Sequence, residues 1–411
     1  MASKFQAPRG TFDILPEGAR ERARLERAAA EIFARAGYEP IATPVFEDTA
    51  LFERGVGKST DIVRKEMFTF EDKGERSLTL RPEGTASICR AYLEHGMHKQ
   101  AQPVKLSYLG PFFRHERPQA GRYRQFHQLG IECIGTDSPL ADAEVVMLLS
   151  DLLGELGVPG VELRLGSLGS FEARRAYLED LKAHLHAHEA DLSEDVRQRI
   201  DINPLRAFDA DDEGTQGVMA SAPKIVERLE GEDAEHFAEV RRLLDAAGVG
   251  YVVDPTLVRG LDYYTRTIFS FVCDRLGAQS EIGGGGRYDG LIEQLGGPST
   301  PAVGFAAGIE RILLALDEEV PAAGLDAFVA VADPSQRERA MVLAVELRHA
   351  GLSAEVDLAG RGLKGQLKHA DRIGARRVLI LDADGGAQLR DMESGEQRPV
   401  DPANVLEELG E

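Results

Sequence analysis

Between Leu106 and Gly135, apolar and polar residues alternate on either side of a loop punctuated by Pro118 and Gly121. That pattern predicts two strands joined by a loop. Successive strand residues face opposite ways. On the first strand Leu106, Tyr108, Phe112 and Arg114 therefore share a face, and on the second Arg124, Phe126, Gln128, Gly130 and Glu132 share one. The second face is polar where a core face is apolar. A buried amide or carboxylate is costly unless something polar meets it, and Gly130 leaves room between Gln128 and Glu132. The face reads as the wall of a pocket for a small polar molecule, or as the wet side of an edge hairpin.

The same reasoning runs along the rest of the chain. Leu25, Ala28, Ile32, Phe33 and Ala36 recur at helical spacing and predict a helix over 17–36, ended by Gly37. Residues 38–44 and 76–80 read as strands. Arg81-Pro82-Glu83-Gly84-Thr85 then makes a strand-to-helix turn, where side chains and free N–H groups can meet a ligand. Helix capping is the simpler role for Glu83 and Thr85. Residues 140–157 are helical, and 170–248, rich in Ala, Leu, Glu, Arg and Asp, read as a helical insertion. Its His184, His186 and His188 suit exposed helix positions better than a metal site, since only His184 and His188 share a face.

Strand character returns at Gly250. Residues 258–269 predict a strand that is polar on both faces, with Arg259, Tyr263 and Thr265 on one side and Asp262, Tyr264 and Arg266 on the other. The run Gly283–Gly286 is either a flexible linker or a flat floor beneath a bound ring. A small-residue strand over 302–308 leads straight into a helix over 309–316. Arg311 sits in the first turn, where a helix prefers an acid, so a phosphate contact explains it better than a surface position. Residues 317–324 read as a linker. Strand–helix alternation over 326–332, 335–350, 353–357, 363–373 and 377–381 then predicts a small α/β domain with a largely parallel sheet.

Composition narrows the function classes. A length of 411 residues suggests two or three domains, at about 150 residues each. The 43% apolar and 28% charged fractions suit a soluble globular protein. No apolar run approaches the roughly 20 residues that span a bilayer. No apolar signal region opens the chain, and the three cysteines lie far apart. Buried thiols in a reducing, cytoplasmic setting are expected, not a disulfide framework or zinc site. A net charge of −21 argues against nucleic acid along the whole surface. Locally the balance reverses: Arg361, Lys364, Lys368, Arg372, Arg376 and Arg377 stand against Asp371 alone. The hairpin loop likewise holds Arg114, Arg117, Arg122 and Arg124 against Glu116, which suits phosphates.

On these residues the chain resembles the class II aminoacyl-tRNA synthetases, and within them the histidine–tRNA ligases. Arg81–Thr85, Phe113–Pro118 and Arg124–Gly130 resemble the family's substrate loop and motif 2, and Gly304–Arg311 resembles motif 3. Tyr38–Pro44, after its helix, is similar to motif 1, the dimer-forming element. Arg259-Gly260-Leu261-Asp262-Tyr263-Tyr264 and Gly285-Gly286-Arg287-Tyr288-Asp289 resemble the two histidine-specific motifs. The resemblance implies an α+β catalytic domain over 1–324, an antiparallel sheet with flanking helices. It also implies a helical insertion at about 170–250 and an α/β anticodon-binding domain over 325–411. It implies activation of histidine by ATP, transfer to tRNA(His), and a homodimer.

Site roles follow by resemblance. Glu83, Thr85 and Gln128 hold the α-amino end of histidine. Glu132 with Tyr264 reads the imidazole, which offers one donor and one acceptor when neutral. Tyr263 belongs to the same site and Tyr288 closes it. Arg114 meets the α-phosphate, Arg259 approaches it from the other side, and Arg311 meets the γ-phosphate. Glu116 and Gly308 join the ATP site, with adenine between Phe126 and Arg311. Magnesium accompanies the phosphates, with no protein side chain assigned to it. Arg117, Gln119, Arg122 and Arg124 face the acceptor stem, and Arg361, Lys364 and Lys368 the anticodon arm.

Two rival readings fit less of the chain. A regulatory subunit of ATP phosphoribosyltransferase resembles the same core, but lacks the catalytic arginine and the C-terminal domain. A plain RNA-binding protein leaves Arg311 and the polar pocket face unexplained.

Overall fold

The computed structural model describes residues 5–57, 60–316, 324–401 and 404–410. The chain divides into two units, Met1–Glu319 and Val320–Glu411. The linker read at 317–324 lies, apart from Gly324, outside the described residues.

In the first unit the strands run β1 (Glu39–Pro40), β2 (Phe46–Asp48), β3 (Phe68–Glu71), β4 (Ser77–Leu80), β5 (Val104–Phe113) and β6 (Gln125–Ile134). They continue with β7 (Val161–Ser167), β8 (Val252–Val253), β9 (Thr265–Cys273), β10 (Glu281–Arg287) and β11 (Ala302–Gly308). The main sheet has the order β1-β5-β6-β11-β10-β9-β7-β8, and β2-β4-β3 form a small second sheet. Pairing in the main sheet is antiparallel except at its edges, where β1 lies parallel to β5 and β8 parallel to β7.

The period-two pattern of the hairpin sorts its residues as expected. Leu129, Ile131 and Cys133 of β6 enter a core with helices Pro16–Arg35, Pro139–Glu155 and Gly231–Ala246. Helix Gly231–Ala246 contributes Phe237, Val240 and Leu244 to that core, so this part of the 170–250 stretch covers the main sheet. Leu106, Tyr108 and Phe112 of β5 turn to the opposite face, among Tyr263, Tyr264 and Tyr288 and the insertion residues Tyr177 and Leu181.

A buried ion pair fixes the end of β10. Arg287 and Asp142 are both fully buried and hydrogen-bonded to each other. Arg287 also donates to the Thr136 carbonyl at 2.8 Å and to Asp289 at 3.1 Å, while His236 stands 3.2 Å from Asp142. Such a pair is tolerable inside a protein only when further hydrogen bonds satisfy it.

Two strand readings need correction. Only Glu39–Pro40 of residues 38–44 pairs as a strand. Pro40 and Pro44 have no N–H to donate, and the Thr43 carbonyl is taken at 2.9 Å by Arg81. Residues 258–264 are irregular, with a turn at Asp262 and Tyr263, and the strand starts at Thr265. Arg174 of the insertion captures the carbonyls of Asp262 and Tyr264 at 3.3 and 2.9 Å, which takes them out of any ladder. Tyr263 and Tyr264 therefore do not alternate, and both are buried.

The three insertion histidines each have protein partners. His184 is bonded to the Val218 carbonyl at 3.0 Å, and His188 to the His184 carbonyl at 2.9 Å. Exposed His186 lies between Glu189 and Asp201. All three cysteines are buried and unpaired. Among the described residues no helix is long and apolar enough to cross a membrane.

The second unit has β12 (Ala327–Val331), β13 (Ala354–Val356), β14 (Arg377–Leu381), β15 (Ala387–Asp391) and β16 (Gln397–Val400), in the order β13-β12-β14-β15-β16. β12 is parallel to both β13 and β14, but β14-β15-β16 is antiparallel, so the sheet is mixed and not largely parallel. Helices Arg337–His349 and Leu363–Arg372 supply its apolar contacts. The Gln366 side chain bonds both the N–H and the carbonyl of Val331, pinning the second helix to the end of β12.

Candidate active site

A cavity of ≈ 710 Å³ opens over the polar face of β6. Glu83, Thr85, Gln128, Tyr263, Tyr264 and Tyr288 line one part of it, and Arg114, Glu116, Phe126, Arg259, Gly308 and Arg311 another. Arg122 also reaches the cavity, whereas Arg117, Gln119 and Arg124 are absent from its wall.

Each guanidinium is held by backbone or carboxylate groups. Arg114, from the end of β5, donates to the Pro82 carbonyl at 2.9 Å and sits 5.3 Å over the Phe126 ring. Arg311 donates to the carbonyls of Gly121 and Glu281 at 3.0 and 2.6 Å. Arg259 donates to the Glu281 carboxylate at 2.8 Å and lies 5.8 Å over Tyr264. The cation over the Phe126 ring is thus Arg114, while Arg311 lines the same cavity. Arg122 and Arg124 are both engaged by Glu116, the first at its carboxylate (3.0 Å) and the second at its carbonyl (3.3 Å).

The carboxylates do different work. Glu83 accepts from the N–H groups of Thr85 and Ala86 at 2.8 and 3.0 Å, so Glu83, not Thr85, caps the helix Thr85–Glu94. Burial raises its pKa. Glu132 does not line the cavity. One oxygen accepts from Thr85 Oγ1 at 2.7 Å and the other from the Tyr288 hydroxyl at 2.5 Å. It is 1% exposed, and a Cβ on Gly304 would lie 1.9 Å from it. Glu132, expected to read the imidazole with Tyr264, sits in a Thr85–Glu132–Tyr288 chain beneath the floor, and Tyr264 lines the cavity. Gly130 makes space for protein, not ligand: a Cβ there would lie 2.5 Å from the Tyr108 hydroxyl. Of the glycine run only Gly283 and Gly284 reach the cavity; a Cβ on Gly285 would meet the Gly304 carbonyl at 2.0 Å.

Burial pushes the Glu132 pKa up from 4.5 to about 8, against the pull of its two hydroxyl partners. Between those values the folded protein keeps a proton that the unfolded chain has released. Its contribution to stability is therefore complete below pH 4.5 and is lost as pH rises through about 8. The melting temperature of the ligand-free protein should fall between about pH 4.5 and 8, and Glu132→Gln, which cannot ionise, should flatten that slope. An unchanged slope in the variant would assign it elsewhere.

Among the described cavity residues four buried polar atoms have no hydrogen-bond partner in the protein: Gln128 Oε1, the Tyr108 hydroxyl, Arg259 Nε and Glu116 Oε2, the last facing Arg122 as an ion pair. Such atoms are rare in native interiors, where water or a ligand usually meets them. Sequence reasoning passed over Tyr108, Glu281 and Glu310. Glu310 accepts from the His127 N–H at 3.0 Å and contacts its ring nitrogen at 2.8 Å. Its signal was an acid in a first helical turn. Among the described residues no group of three or more His, Cys, Asp or Glu is placed to hold a metal ion.

A mainly antiparallel sheet whose hairpin and last helix deliver arginines to one cavity is the architecture of the class II aminoacyl-tRNA synthetases. Residues 10–312 match the family model for histidyl-tRNA synthetase, and 326–411 match that for an anticodon-binding domain. The chain belongs to the histidyl-tRNA synthetase family. It is 48% identical to the histidine–tRNA ligase of Thermosynechococcus vestitus, across 98% of this chain and 96% of that one. It is 47% identical to that of Halothermothrix orenii, across 98% of each. The crystal structure of apo S. aureus histidyl-tRNA synthetase superposes with a TM-score of 0.84 at 36% identity, covering 99% of this chain and 100% of that chain. A Bacillus halodurans protein described as an ATP phosphoribosyltransferase regulatory subunit/histidyl-tRNA synthetase shares the fold alone, with a TM-score of 0.69 at 23% identity.

Proposed function

We propose that this protein activates L-histidine with ATP and transfers it to the 3′ terminal adenosine of tRNA(His). A histidine carboxylate oxygen attacks the α-phosphorus, the bond to the β-phosphate breaks, and diphosphate leaves. The terminal ribose then attacks the histidyl carbonyl and AMP leaves. The observation that carries this reading is the convergence of Arg114, Arg259 and Arg311 with the unpartnered Gln128 Oε1 on one cavity. Attack at phosphorus places charge on oxygens that pre-placed cations stabilise, and no side-chain nucleophile is required.

Glu83, Thr85 and Gln128 meet the α-amino end. Tyr264 faces the imidazole, and Glu132 acts through Thr85 and Tyr288, whose hydroxyls it holds. Arg114 and Arg259 flank the α-phosphate and Arg311 meets the γ-phosphate. Phe126 offers its ring to adenine, with Glu116 and Gly308 beside the nucleotide. Magnesium would accompany the triphosphate and offset its charge, with no protein side chain assigned to hold it. Residues 38–44 form part of a homodimer contact, and the protein works in the cytoplasm. The domains meet this division of labour with catalysis in 1–324 and anticodon recognition in 325–411. The experiment is histidine-dependent exchange of labelled pyrophosphate into ATP.

tRNA contacts divide similarly. The hairpin loop, with Arg117, Gln119, Arg122 and Arg124, faces the acceptor stem. On the second unit Lys364 and Lys368 are exposed and four residues apart on one helix, so both face the same way. Arg361, expected beside them, is paired with Asp357 at 2.6 Å, and Arg376 with Asp326 at 3.3 Å, so the island is smaller than its sequence suggests. Lys364→Glu with Lys368→Glu should raise the KM for tRNA about tenfold or more and steepen its loss with salt less than in the wild type. Pyrophosphate exchange should be unchanged. Equal damage to both activities would place these lysines elsewhere in the account.

A further inference from the structure

We propose that Glu281 is a positioning residue that aims Arg259 at the reacting phosphate, an inference that rests on the role given to Arg259 above. One residue holds two of the arginines that line the cavity, Arg259 and Arg311. The Glu281 carboxylate accepts from Arg259 Nη1 at 2.8 Å, and its main-chain carbonyl accepts from Arg311 Nη1 at 2.6 Å. Arg259 comes from the loop before β9 and Arg311 from the helix after β11, so nothing in their own elements fixes them relative to each other. Glu281 does so from the first position of β10, where the pairing with β9 shifts register between Glu281 and Gly283.

The neighbouring glycine completes the arrangement. A Cβ on Gly284 would stand 2.8 Å from Arg259 Nη1, so the guanidinium lies against bare backbone. Its side chain is 13% exposed, against 42% for Glu281. Glu281 thus engages one terminal nitrogen from the solvent side. The Nε stays unpartnered, so the planar fork retains donors for a phosphate oxygen. A half-exposed pair of this kind adds little to stability. Its value lies in direction.

The test is pyrophosphate exchange with Glu281→Ala and Glu281→Asp, each also on an Arg259→Ala background. Glu281→Ala should lower kcat by about 10- to 100-fold, the effect of a reacting group displaced by about 1 Å. The KM values for ATP and histidine should stay within about threefold, because the carbonyl that holds Arg311 survives the change. Glu281→Asp keeps the charge but withdraws it by one methylene, and should also lower kcat; it decides the matter if the alanine variant does not fold. Glu281→Gln keeps an acceptor oxygen at the same reach and should recover much of the loss. In the absence of Arg259 neither change should matter further. Full kcat in Glu281→Ala or Glu281→Asp, with Arg259→Ala inactive, overturns this inference alone. Full kcat in Arg259→Ala overturns the role beneath it.

Discussion

Arg259→Ala should abolish histidine-dependent exchange of pyrophosphate into ATP while histidine still binds. Arg259 is almost buried, one nitrogen is bonded to Glu281 and another has no partner. A buried cation with donors to spare is costly unless charge develops next to it. Loss of one pre-placed donor at a developing oxyanion costs on the order of 10²- to 10³-fold in kcat, and a full charge acting on phosphoryl transfer costs about 10³-fold or more. Arg259→Lys should rescue poorly, because a single ammonium cannot replace a planar fork shared between Glu281 and a phosphate. Steady-state exchange and calorimetric histidine binding check this together. Retained turnover would remove Arg259 from the chemistry.

Glu132→Ala should have the second largest effect, and on the other substrate. Both oxygens of this 1%-exposed carboxyl are bonded, to Thr85 and to Tyr288. Truncation strands two buried hydroxyls, at about 1–3 kcal/mol each. A site built on hydrogen bonds loses discrimination steeply when one partner is removed. The histidine KM should rise about 100-fold or more, while ATP binding stays within about threefold. Histidine and ATP titrations on the same variant measure both. Equal losses for the two ligands would mean that Glu132 supports the cavity as a whole.

The two variants also mark where the sequence was readable. The hairpin faces followed from period-two alternation alone, and β5 and β6 pair Phe112 with Phe126, Tyr108 with Gly130 and Leu106 with Glu132. Arg311 stood out because a cation at a helix start runs against the helix dipole. The partners of Glu132 were not readable. Thr85 is 47 residues away and Tyr288 156, and no local pattern selects among distant hydroxyls. For the same reason Gly130 looked like space for a ligand when it is space for Tyr108. Glu281 resembled an ordinary wet strand end, since its meaning depends on two arginines from other elements.

Other misses had signals in plain view. Polarity on both sides of 258–264 contradicted a strand, and that stretch is irregular. Asp384-Gly385 before the alternating Ala387 and Leu389 is a hairpin signal, and Gly385 takes φ +90° there. Asp357 lies four residues before Arg361, and the two are joined. A window opened slightly earlier would have trimmed the basic island.

The most direct measurement is exchange of labelled pyrophosphate into ATP by the wild-type protein, with each amino acid supplied in turn. Exchange with histidine and with no other amino acid is the predicted result. Histidine binding without exchange, or exchange driven by a different amino acid, would contradict the account.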